Sequence, residues 1–388
     1  MVHQIKHILA ITVAAAIPLA SRAQQTINYS ITVDSVVRQF ILYVPNSYDG
    51  TSNVPLVLSF HGLGGNAQAQ MNDHDFRPIA DTAGFIIAHP LGAPIINQTI
   101  SGWNFGDDSL PNDVLFTSRL IDTVSSGFAI NPNQIYACGM SFGGFFSVFL
   151  AGQLSNRIAS VASVAGTMLH NVPDSLFNPT RPISFLSIHG TNDNNVPYTG
   201  SAVSKSAHDI LDMFIEHNNC DTNATISTLP NINTTDGSTV EHYLFGNGSN
   251  ATRVEHLKII GGRHTWPGEN TNALGVNRDI NGCAEIWKFF SQYDLNGFIG
   301  GVSTIEPLER ISGPYTFPNP SKEFVNVELN HALVDATVIN SSGYETCVPT
   351  ISEGALVRFD IRNLPSGPYL LRLTSDHDIT HLKFTKID

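Results

Sequence analysis

Charge, cysteine and long apolar runs are all scarce in this 388-residue chain. Charged residues make up only 14% and hydrophobic residues 42%, so the chain is too apolar for disorder and has enough material for a sizeable core. Lys and Arg number 20 against 33 Asp and Glu. The resulting net charge of −13 repels phosphate backbones and anionic lipid, so no nucleic-acid partner is expected. Four cysteines are too few for a disulfide scaffold. No Cys/His spacing resembles a zinc site and no H-E-x-x-H occurs; neither metal nor cofactor is expected. Internal repeats and low-complexity tracts are missing too. No apolar stretch reaches the ~20 residues that span a bilayer, so no membrane span is expected.

What is present begins with an export signal. Lys6 supplies a positive start, Ile8 to Ala20 an apolar run, and Ser21-Arg22-Ala23 the small residues read at a cleavage site. Residues 1–23 are therefore expected to be a signal peptide, and the mature protein to be secreted or held at the cell surface. Export also permits disulfides.

Between residues 24 and 300 the pattern is that of an α/β protein. Thr26 to Val44 alternates and reads as two antiparallel strands turning near Asp34-Ser35. Short apolar runs follow at Val54–Phe60, Phe85–His89, Gln134–Cys138, Ala159–Ala165, Ile183–Ile188 and Val254–Ile260. Helical patterns separate them at Asp113–Phe128, Gly144–Gln153, Ala202–His217 and Ile280–Tyr293. Buried strands alternating with helices predict a mostly parallel sheet covered on both faces. In such sheets the active groups sit in loops beyond the carboxyl ends of the strands.

Those loops carry the chemistry. Gly139-Met140-Ser141-Phe142-Gly143 matches G-x-S-x-G, directly after a predicted strand and before a predicted helix. That context is what a nucleophile elbow needs, with glycines leaving room for a strained serine; the bland alternative is a Gly-rich surface loop. His61-Gly62-Leu63-Gly64-Gly65 ends an earlier strand. Its flexible backbone lets the Leu63 N–H join the Phe142 N–H as an oxyanion hole; the alternative is a tight turn without a role, and His61 itself reads as structural. A serine needs a base and the base needs an orienting carboxylate. His242 and His256 fall within strand patterns. His264 follows a strand through Gly261-Gly262-Arg263 and precedes Thr265-Trp266-Pro267-Gly268, which is where a base belongs. Asp193 lies in the turn after Ile183–Ile188, within His189-Gly190-Thr191-Asn192-Asp193. Ser141, Asp193, His264 is the chain order of the α/β-hydrolase fold.

Taken together, the H-G-L-G-G loop, the elbow, His189-Gly190-Thr191-x-Asp193-x-x-Val196-Pro197-Tyr198 and Gly261-Gly262-x-His264-Thr265-Trp266-Pro267-Gly268 resemble one family over roughly residues 35–295. It is the secreted esterases of the polyhydroxybutyrate depolymerase and feruloyl esterase type, including carbohydrate esterase family one. Trp103, within Gly102-Trp103-Asn104, and Asp113-Val114 fall where that family carries a substrate-loop tryptophan and an acidic helix start. The resemblance implies ester hydrolysis through an acyl-serine without a metal. Trp103 and Trp266 are then candidate substrate-binding residues. A cysteine that family members often carry shortly before the histidine strand is missing from Tyr243–Thr252. Cys138 reads as a buried thiol and Cys347 lies near the C-terminus. Cys220 and Cys283 remain as a candidate pair.

After residue 300 the helical patterns stop. Gly297 to Pro314 reads as a linker, centred on 301–314. Phe324–Leu329, Ala336–Ile339, Val357–Ile361, Tyr369–Leu373 and His381–Thr385 predict a small all-β sandwich over residues 315–388. Phe317-Pro318-Asn319-Pro320, Asn340-Ser341-Ser342-Gly343, Leu364-Pro365-Ser366-Gly367-Pro368-Tyr369 and the end Lys383-Phe384-Thr385-Lys386-Ile387 resemble the sorting domain of the type IX secretion system. The partner implied is the outer-membrane secretion machinery. A carbohydrate-binding module, the competing reading, needs an exposed aromatic platform, and this segment has no tryptophan.

The function expected is that of a secreted serine esterase acting on feruloyl or acetyl esters of polysaccharide. One alternative is a depolymerase of polyhydroxyalkanoate or of an aromatic polyester such as polyethylene terephthalate. Another is a non-catalytic surface-binding protein on a hydrolase scaffold.

Overall fold

The computed structural model describes residues 24–96, 99–269 and 273–300, and from the C-terminal part 316–317, 321–328, 333–340, 344–353, 356–375 and 379–387. The expected signal segment (1–23) and linker (301–314) lie outside them. The chain divides into two compact units, Met1–Gly301 and Val302–Asp388.

In the first unit, β1 (Gln25–Val33) and β2 (Val36–Val44) form a hairpin, their turn made by Asp34 and Ser35, both at positive φ. Then come β3 (Val54–Phe60), α1 (Ala67–Asp73), α2 (Arg77–Ala83) and β4 (Ile86–Pro90). A small hairpin of β5 (Ala93–Ile96) and β6 (Ile100–Gly102) leads to α3 (Asp113–Gly127). The centre is β7 (Ile130–Met140), α4 (Phe142–Gln153), β8 (Ser160–Val164), β9 (Ser184–Gly190) and α5 (Ala207–Asn218). β10 (Thr225–Thr228), β11 (Thr239–Phe245), β12 (Val254–Ile260) and α6 (Gly282–Phe290) complete the layers.

Ten strands form one sheet in the order β1-β2-β4-β3-β7-β8-β9-β12-β11-β10. From β4 through β12 all neighbours are parallel, and antiparallel strands close each edge. Alternation along the strands explains the two-sided core. Leu56, Leu58 and Phe60 of β3 join one cluster with residues of α3, α4 and α5, while Val57 joins a second with residues of α2 and α6. Each fully buried Leu, Val or Phe contributes about 1.5–3 kcal/mol relative to exposure, so both faces hold the sheet. This is the α/β-hydrolase architecture.

The structure changes several expectations. The helix anticipated over Ala202–His217 begins only at Ala207. Residues 201–204 form a turn in which the Ser204 carbonyl accepts from the Ser201 N–H, and Ser206 caps the helix in a reciprocal box with Asp209. Gly297 and Phe298, expected to open the linker, pair instead with Tyr293 and Asp294. The candidate Cys220–Cys283 bridge is absent. Cys220 belongs to the core on one face of the sheet and Cys283 to the core on the other, and all four cysteines are free thiols.

In the second unit two four-stranded antiparallel sheets form. One runs Thr316–Phe317, Phe324–Glu328, Leu356–Asp360, Thr350–Glu353; the other runs Glu345–Thr346, Leu333–Asn340, Gly367–Ser375, Ile379–Lys386. Val325, Val327, Val338, Val357, Phe359, Leu371, Leu373 and Phe384 pack as a core of their own.

Two buried histidines make the fold acid-sensitive. His89 on β4 has no hydrogen-bond partner for either ring nitrogen, and burial, helped by the Arg77 charge, pushes it down to about 3. Burial, then the neighbouring His189, pushes His256 on β12 down to about 3 as well. Both are depressed, so between their ordinary value of 6.5 and about 3 the unfolded chain binds protons that the native one does not. Stability is therefore full above pH 6.5 and is lost as pH falls, by about 1.4 kcal/mol per unit for each group. The melting temperature should drop steeply from pH 6.5 to 4.5, and His89→Leu should flatten that slope. An unchanged slope in the variant would refute the assignment.

Candidate active site

Ser141 stands at the junction of β7 and α4 with φ 53° and ψ −120°, a conformation costing about 1–3 kcal/mol for a side chain of this kind. Its surroundings hold it there. The Ser141 N–H donates to Val164 O at 2.8 Å, and its carbonyl accepts from Phe145 N at 2.9 Å. Close approach explains the glycines. A Cβ on Gly143 would lie 2.1 Å from Phe60 O, and one on Gly139 would lie 2.5 Å from the Gly143 carbonyl carbon. The tight turn therefore presents Ser141 above the carboxyl end of the sheet, at the positive end of helix α4.

Strand order brings the other two groups close together. β9 and β12 are parallel neighbours, with Gly190 opposite Ile259. Their loops are tied by Asn192 N–H to Gly262 O (2.8 Å) and Gly261 N–H to Thr191 Oγ1 (2.9 Å). Asp193 and His264 project from these loops and meet, Nδ1 to Oδ2, at 2.7 Å. The Asp193 Oδ1 accepts from Asn195 N (2.9 Å) and Val196 N (2.8 Å). Burial pushes this carboxyl up, but His189, His264 and the Val196 N–H outweigh it and hold Asp193 well below the usual carboxylate range. The carboxylate is buried, whereas His264 is partly open to solvent. Among the described residues no hydrogen bond joins Ser141 Oγ to His264 Nε2.

The loop after β3 lies against the serine. A Cβ on Gly62 would be 3.5 Å from Ser141 Cβ. His61 is structural: Gly92 N–H donates to Nε2 at 2.9 Å and Nδ1 lies 2.7 Å from Gly62 O, which assigns the proton to Nδ1. Leu63 N–H and Phe142 N–H take no part in the backbone hydrogen bonds of the surrounding turns.

The two tryptophans are not where the sequence reading put them. Trp103 and Trp266 are each 1% exposed, so neither indole lines a slot for substrate. Trp103 stacks on Phe146 at 5.1 Å and donates from Nε1 to His61 O at 2.8 Å, which props the H-G-L-G-G loop from behind. Trp266 stacks on His74 at 4.3 Å beneath the His264 loop. Large flat side chains filled the space between loop and sheet, and their burial outweighed any role at the surface. Asp113 begins α3 as expected, but it is buried against Arg38 and accepts from Asn104 N at 2.8 Å.

Sequence reasoning missed the β5–β6 hairpin. It docks on the 61–65 loop through Gly64 N–H to Ser101 O (2.8 Å) and Ser101 Oγ to Gly65 O (2.6 Å). That leaves Leu63, Ile96 and Ile100 exposed at the rim. The β-branched pairs Ile95-Ile96 and Thr99-Ile100 were the available signal.

Ser141 at a strand–helix turn is followed in the chain by a carboxylate and a histidine that pair across the loops of neighbouring strands β9 and β12. Residues 36–195 match the family model described as "Putative esterase", and residues 315–386 match the one described as "Secretion system C-terminal sorting domain". Among curated proteins, the chain is similar to the bifunctional acetylxylan esterase/xylanase XynS20E of Neocallimastix patriciarum, 26% identical over 273 residues, which cover 70% of this chain and 36% of that protein. It is also similar to feruloyl esterase B of Piromyces equi, 31% identical over 165 residues, covering 42% of this chain and 30% of the relative. The chain thus spans about a third of the length of these two proteins. An acetyl xylan esterase structure from Aspergillus awamori shares the fold, with a TM-score of 0.50 at 13% identity, covering 68% of this chain and 98% of that one. Among the described residues no helix is long and apolar enough to cross a membrane.

Proposed function

We propose that the protein is a secreted serine esterase that hydrolyses feruloyl or acetyl esters linked to polysaccharide. The reading is supported by Ser141 at positive φ on the turn after β7 and by the Asp193–His264 pair at 2.7 Å on the loops after β9 and β12. Ser141 Oγ attacks the ester carbonyl while His264 Nε2 takes its proton. Asp193 holds the imidazole so that Nδ1 carries the other proton and Nε2 faces the serine. The N–H groups of Leu63 and Phe142 receive the oxyanion, reinforced by the N-terminus of α4. His264 then returns the proton to the departing alcohol, and water repeats the sequence on the acyl-serine. The substrate class follows the relatives, whose names specify acetylxylan and feruloyl esters.

The exposed rim of Leu63, Ile96 and Ile100 favours a second reading, a polyester depolymerase, because a water-insoluble chain needs apolar surface to rest on. The outer-membrane secretion machinery is the proposed partner of the second unit, with residues 1–23 directing the first step of export. Surface binding without catalysis has no use for a strained serine or for a histidine paired to a buried carboxylate.

Rates on methyl ferulate, p-nitrophenyl acetate and a polyester film, measured side by side, test the substrate reading. Turnover of both small esters with little release from the film is expected. Preferential attack on the film would replace it with the depolymerase reading. The same assays on a chain ending at Gly300 address the tail. The second unit packs an apolar core of its own, so soluble-ester turnover should stay within about twofold. In its native host the truncated protein should accumulate in the periplasm. A selective loss on insoluble substrate with export intact would show a binding module instead.

A further inference from the structure

His189 is the penultimate residue of β9, and its side chain is wholly buried. Its Nε2 lies 2.9 Å from Val196 O and 3.4 Å from Asp193 Oδ2, while Nδ1 is buried without a partner. The Val196 carbonyl can only accept, so the proton is on Nε2 and the bare nitrogen is Nδ1. A single N–H therefore bonds the far end of the 193–196 turn and lies against the oxygen that His264 uses. Asp193 Oδ1 is already taken by the Asn195 and Val196 amides. Oδ2 is left with two imidazoles, His264 Nδ1 at 2.7 Å and His189 Nε2 at 3.4 Å. The Tyr198 ring stands edge-on to His189 at 5.7 Å and is itself bonded from its hydroxyl to His256 Nε2 at 2.9 Å, which keeps the His189 ring from turning away.

We propose that His189 is a positioning residue: it clasps the turn through Val196 and aims Asp193 Oδ2 at His264. The proposal rests on the reading of Ser141, Asp193 and His264 as one catalytic unit. Fully buried behind the carboxylate, His189 does not reach substrate, and its contribution falls on the geometry of the base. Without its N–H, Val196 O loses a donor inside the protein, the turn loosens, and the carboxylate is free to rotate about its Cβ–Cγ bond. A misaimed carboxylate lets the imidazole tilt away from the serine, and this slows proton transfer without weakening substrate binding.

Two amide variants separate position from mere polarity. His189→Gln places its amide nitrogen where Nε2 lay, and His189→Asn places it near Nδ1 instead. On p-nitrophenyl acetate, His189→Asn should lower kcat roughly 10- to 100-fold, the scale of loss when a catalytic group is misplaced by about an ångström, with KM changed less than about twofold. His189→Gln should recover most of kcat. The low-field proton resonance of the His264–Asp193 hydrogen bond should persist in His189→Gln and vanish or move upfield in His189→Asn. Native kcat in a folded His189→Asn, or equal losses in both variants, would overturn the proposal. If His189→Asn does not fold, His189→Gln decides by itself: near-native kcat supports the role, and a tenfold or greater loss in a folded protein refutes it. Ser141→Ala assayed in parallel keeps the two readings apart. Activity in that variant overturns the catalytic unit itself, whereas an inactive Ser141→Ala with indifferent His189 variants overturns only the role of His189.

Discussion

Ser141→Ala is expected to lower kcat on every ester by roughly 10⁶-fold while leaving the melting temperature close to native. The fold should survive because alanine faces the same positive-φ cost as serine, and the structure already meets that cost through the Val164 and Phe145 hydrogen bonds. The change removes only Oγ. Residual rate would come from the oxyanion hole and from binding, which stabilise a tetrahedral state but supply no nucleophile. Substantial turnover by the variant in a preparation free of other esterases would sink the assignment of Ser141.

His264→Ala should be nearly as damaging, and Asp193→Asn should cost roughly 10⁴-fold in kcat. The difference follows from what each group does: the imidazole moves the proton, whereas the carboxylate decides which nitrogen carries it. An amide at position 193 turns a donor toward Nδ1, and the imidazole answers by leaving its proton on Nε2, where it cannot take one from serine. The buried pocket adds to the loss, because the Asn195 and Val196 N–H groups and His189 are arranged for an anion. His256→Ala is the matching control. His256 is bonded to Tyr198 and lies near Ser187 O inside the sheet, so its loss should lower stability more than turnover. A greater loss of turnover in His256→Ala than in His264→Ala would mean that the base has been placed on the wrong loop.

Local signals carried much of the fold. The hairpin around Asp34-Ser35 and the strands Val54–Phe60 and Val254–Ile260 fall where alternation and apolar runs put them. Helix starts were harder, because Ala202 to Ser206 has helix-compatible composition but is held in a turn by Ser201 and Ser204. The short helices α1 and α2 left no periodic signal of useful length. The β5–β6 hairpin left only two short β-branched pairs, Ile95-Ile96 and Thr99-Ile100, too brief to set a period.

The glycines at 139 and 143, the chain order of serine, carboxylate and histidine, and the change from helical to purely alternating patterns are properties of the sequence itself. They express backbone constraints and periodicities that act within a few residues. Only tertiary structure decided the rest. The tryptophans were legible as neighbours of the motifs but not as buried props, since burial depends on which helix and loop close over them. Cys220 and Cys283 were separable only once the sheet stood between them. His189 was visible inside a motif, yet its bearing on Asp193 arises from a turn that folds residue 196 back over residue 189, a contact of a few ångströms that spacing along the chain cannot express.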